Sequence, residues 1–264
     1  MNDRVLVDIQ DRVAHVHLNR PDKMNALDPA MFEAISETGQ RLASDAAIRA
    51  VVLSGEGRAF CAGLDMASFA SMASDAGEPL DIMARTHGPA NIWQHAGWLW
   101  RELEVPVIAA LHGVVFGGGL QVALGADMRY AAPETRLSVM EIKWGLVPDM
   151  AGTQLMRHLA GDDVVRELTF TGREFTAEEA VSLGLVTRVC QDPAGAAQET
   201  AARIAHGNPD AIRAAKRMFN AAPYLSVEAG LLMESEEQAR LLGSPNQREA
   251  VLAEMQGREA AFED

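Results

Sequence analysis

With 264 residues, 48% of them hydrophobic and 23% charged, the chain is long enough to bury a core as one ordinary domain with a modest appendage. That composition excludes a disordered chain, and two cysteines exclude a disulfide scaffold. A net charge of -14 opposes binding of phosphate backbones by the surface as a whole, so no nucleic-acid partner is expected.

No apolar run reaches the roughly 18 residues of a membrane span. The N-terminus, MNDRVLVDIQ, scatters charges through what would be the apolar part of a secretory signal. A cytoplasmic protein without a membrane partner is therefore the expectation. Val5 to Val7 and Val13 to Leu18 flank the turn-like Gln10-Asp11-Arg12 and predict a hairpin, with His15 and His17 alternating onto a solvated face rather than binding metal. Asp28-Pro29 starts a helix carrying Met31, Ile35 and Leu42. A strand follows at Arg49 to Leu53, then the glycine-bearing stretch Gly55 to Gly63 and a helix from about Asp65. Met66 to Gly77, rich in Ala, Ser and Met, reads as a surface loop and helix end or as a substrate lid.

A broken helical region runs to about Leu103, and the apolar strand Val105 to Leu111 leads into Gly113 and Gly117-Gly118-Gly119. Leu120 to Leu124 is helical, with short strands at Met128 to Ala131 and Leu137 to Val139. Strands alternating with helices predict an α/β core. Thr176-Ala177-Glu178-Glu179 has the form of a capping box, and Leu185 to Cys190 is a last strand. Beyond Asp192 the chain is helical, with starts at Asn208-Pro209 and Ser244-Pro245. Helices with no sheet of their own must cover the core, other subunits or both. Residues 1–200 are accordingly expected to form the catalytic core, and 201–264 a helical oligomerisation segment.

Gly55-Glu56-Gly57 follows a strand, but Phe60 occupies the third glycine position of a dinucleotide fingerprint. P-loop, nucleophile-elbow and Cys-x-x-Cys patterns are also missing, and no residue identifies a base that would make Cys61 a nucleophile. Two segments share a design. Phe60-Cys61-Ala62-Gly63-Leu64-Asp65 and Gly117-Gly118-Gly119-Leu120-Gln121 each set glycines between a strand and a helix. Such turns leave backbone N–H groups free, and two of them converging can hold a carbonyl oxygen as it becomes an oxyanion. Taken singly, either segment also suits a plain tight turn.

Asn19-Arg20-Pro21-Asp22-Lys23-Met24-Asn25-Ala26-Leu27, Gly57 to Asp65, the glycine triplet, Gly145-Leu146-Val147-Pro148, Thr176 to Val189 and Asn246 to Ala250 resemble, in order, the enoyl-CoA hydratase/isomerase (crotonase) superfamily. The resemblance runs essentially end to end. It implies a spiral α/β core with C-terminal helices that assemble trimers or dimers of trimers. It also implies an acyl-CoA thioester substrate, with coenzyme A as part of that substrate and neither metal nor added cofactor. The oxyanion amides fall at Leu64 and Gly118. Substrate and CoA contacts fall at Lys23, Met24, Ala26, Ala62, Leu64, Asp65, Met66, Gly117, Gly118 and Gln121, with Lys216 reaching a neighbouring subunit's CoA. Trp93, Trp98 and Trp100 either line the acyl tunnel or pack in the core.

The hydratases of this family place a glutamate two residues after the triplet, where this chain has Gln121. An amide has no useful acid-base range. The second hydratase glutamate aligns with Glu141, and eight residues later Asp149 resembles the base of the family's double-bond isomerases. A Glu and Asp at this spacing resembles the dienoyl-CoA isomerase pair, although those enzymes carry an acid where Gln121 stands. Glu141 and Asp149 are thus expected to be the acid-base pair of an enoyl-CoA isomerase, with their individual roles open. Salt bridging to Lys143 or Arg136, and turn capping, are the purely structural alternatives for the two carboxylates. A hydratase using Glu141 is the alternative activity. A weakly catalytic acyl-CoA- or RNA-binding relative is a further one.

Overall fold

The computed structural model describes residues 3–65, 67 and 81–264. Strands β1 (Val5–Gln10) and β2 (Val13–Leu18) form the expected hairpin. Its turn residues Asp11 and Arg12 both have positive φ, as a turn matched to strand twist requires. Parallel pairing then adds β3 (Ala50–Gly55), β4 (Val107–Leu111), β6 (Met128–Ala131) and β9 (Arg188–Val189), in the order β1-β2-β3-β4-β6-β9. A second sheet sets β5 (Val114–Phe116) parallel to β7 (Arg136–Ser138), which pairs antiparallel with β8 (Glu174–Thr176).

The inner strands are buried on both faces, and their period of two divides the core. Val51 and Leu53 of β3, with Val107, Ala109 and Leu111 of β4, join the main core. There they meet α1 (Pro29–Ala43), α2 (Ile92–Glu102) and α3 (Gly118–Leu124). The alternate residues Ala50, Val52, Ile108 and Ala110 form a second cluster against Ala197, Ala201 and Ala205 of α7 (Pro193–Ala205). Alanine at four-residue intervals gives α7 a flat face that lies close on the sheet.

In the chain before α7 come three shorter helices, α4 (Gly152–Met156), α5 (Asp162–Thr171) and α6 (Ala177–Ser182). Thr176 caps α6 through the Glu179 N–H, but Glu179 pairs with Arg173 instead of closing the capping box. The chain ends in α8 (Pro209–Ala221), α9 (Val227–Leu241) and α10 (Pro245–Gln256). Asn208 and Ser244 cap α8 and α10 as the sequence predicts, and Ser226 caps α9 in the same way.

Two expectations change, and a third falls where the structure describes too little to test it. His15 and His17 are half-buried rather than freely solvated, and His17 Nδ1 lies 3.1 Å from Glu56. The last strand is shorter than Leu185 to Cys190, because Leu185 and Val186 turn into the core. The helix expected from Asp65, Met66 itself and most of the loop or lid Met66 to Gly77 lie outside the described residues.

Candidate active site

The segment Asn19 to Leu27 is folded by Asn25. Met24 and Asn25 both take left-handed backbone angles, φ 51° and 55°, a conformation costly for non-glycine residues. The buried Asn25 side chain compensates. Its amide nitrogen donates to the carbonyls of Glu56, Ala59 and Phe60, and its oxygen accepts from the Arg20 N–H. One asparagine therefore ties two of the sequence motifs together.

Backbone bonds extend the stitching. Ala62 N–H donates to Met24, Leu27 N–H to Gly63 and Asp65 N–H to Leu27, while Phe116 N–H donates to Cys61. Arg20 completes the loop with a 2.7 Å bond to the buried Asp65. The two glycine turns are consequently in contact. A Cβ on Gly63, whose φ is 90°, would lie 2.8 Å from the Phe116 carbonyl oxygen and 3.7 Å from the Gly118 nitrogen. A Cβ on Gly119 would lie 2.5 Å from the Cys61 carbonyl oxygen. These positions need glycine because backbone meets backbone there.

Leu64 and Gly118 both line a cavity of about 630 Å³. Among the described residues, no acceptor is bonded to the N–H of either one. Two unengaged donors on touching turns beside one cavity are the elements of an oxyanion hole.

In the same cavity wall, beside Gly117, Glu141 opens a short 3₁₀ helix, Glu141–Trp144, after β7. Its Oε1 accepts from Gln121 Nε2 at 2.5 Å, whereas Oε2 is buried without a hydrogen-bond partner. Gln121 Oε1 in turn accepts from the N–H groups of Met150 and Gly152, both at 2.8 Å. Burial raises the Glu141 carboxyl above its ordinary range, and the charge of Asp149 adds to the effect; the bond from Gln121 opposes it. Partial burial also raises Asp149, which lines the cavity while keeping contact with solvent. Neither structural alternative for these carboxylates is realised. Arg136 pairs with Glu174, not Glu141. The Met150 N–H that follows Asp149 is capped by Gln121 instead.

Of the residues singled out from sequence, Lys23, Met24, Ala26, Ala62, Leu64, Asp65, Gly117, Gly118, Gln121, Glu141 and Asp149 all line this one cavity. Met66 lies outside the described residues. Lys216 is a correction. Its ammonium is buried and donates to the carbonyls of Trp100 and Val105 and to Asp127, so all three protons are engaged away from the cavity. It fastens α8 to the core and has no donor left for a phosphate.

Of the three tryptophans, Trp93 lines the cavity. Trp100 is fully buried and donates to Ala96, and Trp98 donates to Glu102. Cys61 is structural: its thiol bonds the Asn25 carbonyl, and burial pushes it up to about 12. Sequence reasoning missed Phe32, Ile82, Met140, Trp144, Leu146 and Met150, which give the cavity its apolar wall. For Met140, Trp144, Leu146 and Met150 the nearest signal was proximity to Glu141 and Asp149, whereas Phe32 and Ile82 had no such signal.

Comparison with known proteins finds relatives along almost the whole chain. Residues 8–264 match the profile of the family described as enoyl-CoA hydratase/isomerase. The mitochondrial Delta(3,5)-Delta(2,4)-dienoyl-CoA isomerase of Rattus norvegicus is 36% identical over 216 residues, covering 78% of this chain and 65% of that protein. The short-chain-enoyl-CoA hydratase of Clostridium acetobutylicum is 28% identical over 257 residues, covering 95% and 94%. The crystal structure of an enoyl-CoA hydratase from Bacillus anthracis superposes with a TM-score of 0.88 at 28% identity, covering 98% of each chain, so the fold is the crotonase fold. Matched almost from end to end, the chain belongs to the enoyl-CoA hydratase/isomerase family.

Proposed function

We propose that this protein moves a carbon-carbon double bond along an acyl-CoA thioester, with Glu141 and Asp149 carrying the proton and the Leu64 and Gly118 N–H groups holding the thioester oxygen. The observation that carries the reading is the pairing of two cavity-lining carboxylates, both raised by burial, with a non-titrating Gln121. A raised carboxyl is a stronger base when ionised and a usable acid when neutral. Mutual repulsion opposes simultaneous ionisation, so one member can be charged while the other holds a proton.

Bond migration needs no other group. A carboxylate takes the proton alpha or gamma to the thioester, and the electron pair left behind delocalises onto the carbonyl oxygen. The two N–H donors stabilise that oxyanion, each worth roughly 3–4 kcal/mol of barrier. A proton then returns further along the chain, and neither water nor a redox partner is consumed. The cavity residues from Lys23 to Ala26, with Ala62, Asp65 and Gly117, are assigned to the CoA and thioester portion. Coenzyme A enters as part of the substrate, and the scheme has no separate cofactor.

A second reading, hydration of a 2-enoyl-CoA by Glu141, is favoured by its unpartnered Oε2 and by the hydratase among the relatives. The test incubates the protein with 3-enoyl-CoA, 3,5-dienoyl-CoA and 2-enoyl-CoA in water enriched in heavy oxygen. The expected result is bond migration in one of the first two without label in the product, suppressed about 10²-fold or more by Asp149→Asn. Substantial label entering product from the 2-enoyl substrate would replace the isomerase reading by the hydratase one.

The C-terminal helices expose Phe219, Val227 and Met255, 77%, 79% and 80% accessible in the isolated chain. We assign this apolar surface to assembly as a trimer or dimer of trimers. Light scattering that returned a monomeric mass would remove that assignment.

A further inference from the structure

We propose that Gln121 is a positioning residue, which locks the Glu141 carboxyl in one orientation and limits this side of the cavity to a single exchangeable proton. The inference rests on Glu141 acting in the reaction proposed above, but its own support is geometric.

The orientation of the Gln121 amide follows from its partners. The Met150 and Gly152 N–H groups can only donate, so the side-chain atom 2.8 Å from both must be the oxygen. The –NH₂ group is thereby turned toward Glu141, which it meets at 2.5 Å. Both anchors are main chain. A Cβ on Gly152 would lie 2.5 Å from Gln121 Oε1, so the approach is available only because that residue is glycine. Ala151, between the anchors, is held at φ 68°.

This bond has a chemical consequence. Receiving a hydrogen from Gln121, Glu141 Oε1 presents a lone pair, so a proton taken up by the carboxylate goes to Oε2. Oε2 is buried, belongs to a cavity-lining residue and has no hydrogen-bond partner among the described residues. A glutamate at position 121 would act differently. It could still accept both N–H bonds, but its second oxygen would face Glu141 Oε1 with no hydrogen between them unless the two shared a proton. Gln121 thus makes the Glu141 side of the cavity a site for one proton rather than two.

The experiment measures pH–rate profiles for bond migration with the full-length protein, comparing wild type, Gln121→Glu, Gln121→Met and Glu141→Gln. Thermal unfolding and infrared titration of the carboxyl groups accompany each. Gln121→Met removes a side-chain donor that favours the Glu141 carboxylate, leaving the backbone N–H groups of Met140 and Glu141 that also favour it. Its acid limb is expected about one pH unit higher, with kcat down about tenfold and KM within about threefold. In Gln121→Glu a second ionisation is expected in the acid limb, with a matching second carboxyl step in the infrared titration. That variant keeps the acceptor for Met150 and Gly152, so it decides the matter if Gln121→Met does not fold. Unmoved profiles and a wild-type kcat in the folded variants, with Glu141→Gln inactive, would overturn the positioning role and leave the functional reading standing. A fully active Glu141→Gln would remove both.

Discussion

Replacing Gly63 by alanine separates the oxyanion geometry from the stability of the fold. The new methyl would sit 2.8 Å from the Phe116 carbonyl oxygen, so the two glycine turns must part by about 0.5 Å or more to reach ordinary contact. At φ 90° alanine also pays a backbone cost of about 1–2 kcal/mol, and the overpacking adds about 1–3 kcal/mol. Unfolding entropy of about 2.1 cal/mol/K per residue over the 264-residue chain gives about 0.55 kcal/mol per degree, so a loss of about 2–5 kcal/mol lowers Tm by roughly 4–9 °C.

The catalytic effect is distinct. Misplacement by about 1 Å costs on the order of 10²-fold, and complete loss of one oxyanion donor costs about 10²–10³-fold. A half-ångström separation of the turns bearing the Leu64 and Gly118 N–H groups is therefore expected to lower kcat about 10- to 100-fold, or roughly 1.4–2.7 kcal/mol, with KM little changed. Gly257→Ala is the control. Its φ is 64°, and at the end of α10 no atom lies within 4 Å of where the new methyl would sit. It carries the backbone penalty alone, so Tm should fall by about 2–4 °C with kcat within about twofold. The assay is steady-state turnover of the acyl-CoA substrate well below either Tm. Wild-type kcat in Gly63→Ala, or an equal loss in Gly257→Ala, would refute the assignment of the oxyanion hole to these turns.

Lys216→Met takes the cation from Asp127, which keeps its bond from the Val107 N–H, and a donor from two backbone carbonyls; that bond and the partial exposure of Asp127 limit the cost to about 2–4 kcal/mol, so Tm should fall by several degrees while KM for acyl-CoA stays within about twofold. A large rise in KM would instead restore Lys216 as a phosphate contact. His95 bonds Ser36 and stacks on His87 with ring centroids 4.4 Å apart, and burial followed by the His87 charge lowers it to about 4. The unfolded chain therefore takes up this proton first as pH falls, and stability present above about 6.5 is lost progressively toward 4. Discounted for the ring's solvent contact, the loss is roughly 1–2 kcal/mol, measured by urea unfolding across that range. His95→Gln should flatten the slope, and an unchanged slope would place its origin elsewhere. Cys61 should resist alkylation in the native state at pH 8 and react only on unfolding, as mass spectrometry would record; rapid native labelling would contradict its burial.

How much of this was legible in the sequence depends on the range over which each signal acts. The hairpin, the capped helix starts at Asp28, Asn208 and Ser244, and the apolar runs of β3 and β4 are local, and they read correctly because neighbouring residues decide them. The glycine turns were legible for a related reason: a position where backbone meets backbone admits little but glycine, so its requirement is written at that position. Lys216 was misread because nothing within α8 distinguishes a lysine that faces three acceptors from one that faces solvent. Those acceptors come from Trp100, Val105 and Asp127, about ninety or more positions earlier.

The strand β5 and the helix α5 were overlooked for opposite reasons. Three residues are too few to show a period, and a glycine before Asp162 is a weak start signal. Gln121 lies between these cases. Its identity shows that one proton carrier has been given up. What replaces that carrier is visible only when Met150 and Gly152, some thirty residues on, present two N–H groups to a single oxygen. The chemistry a position cannot perform can therefore be read along the chain, whereas the task it takes up instead belongs to the contacts the fold makes. Glu141 Oε1 is the point where the two meet: it receives a hydrogen because the residue beside it is an amide whose own oxygen is held by the Met150 and Gly152 N–H groups.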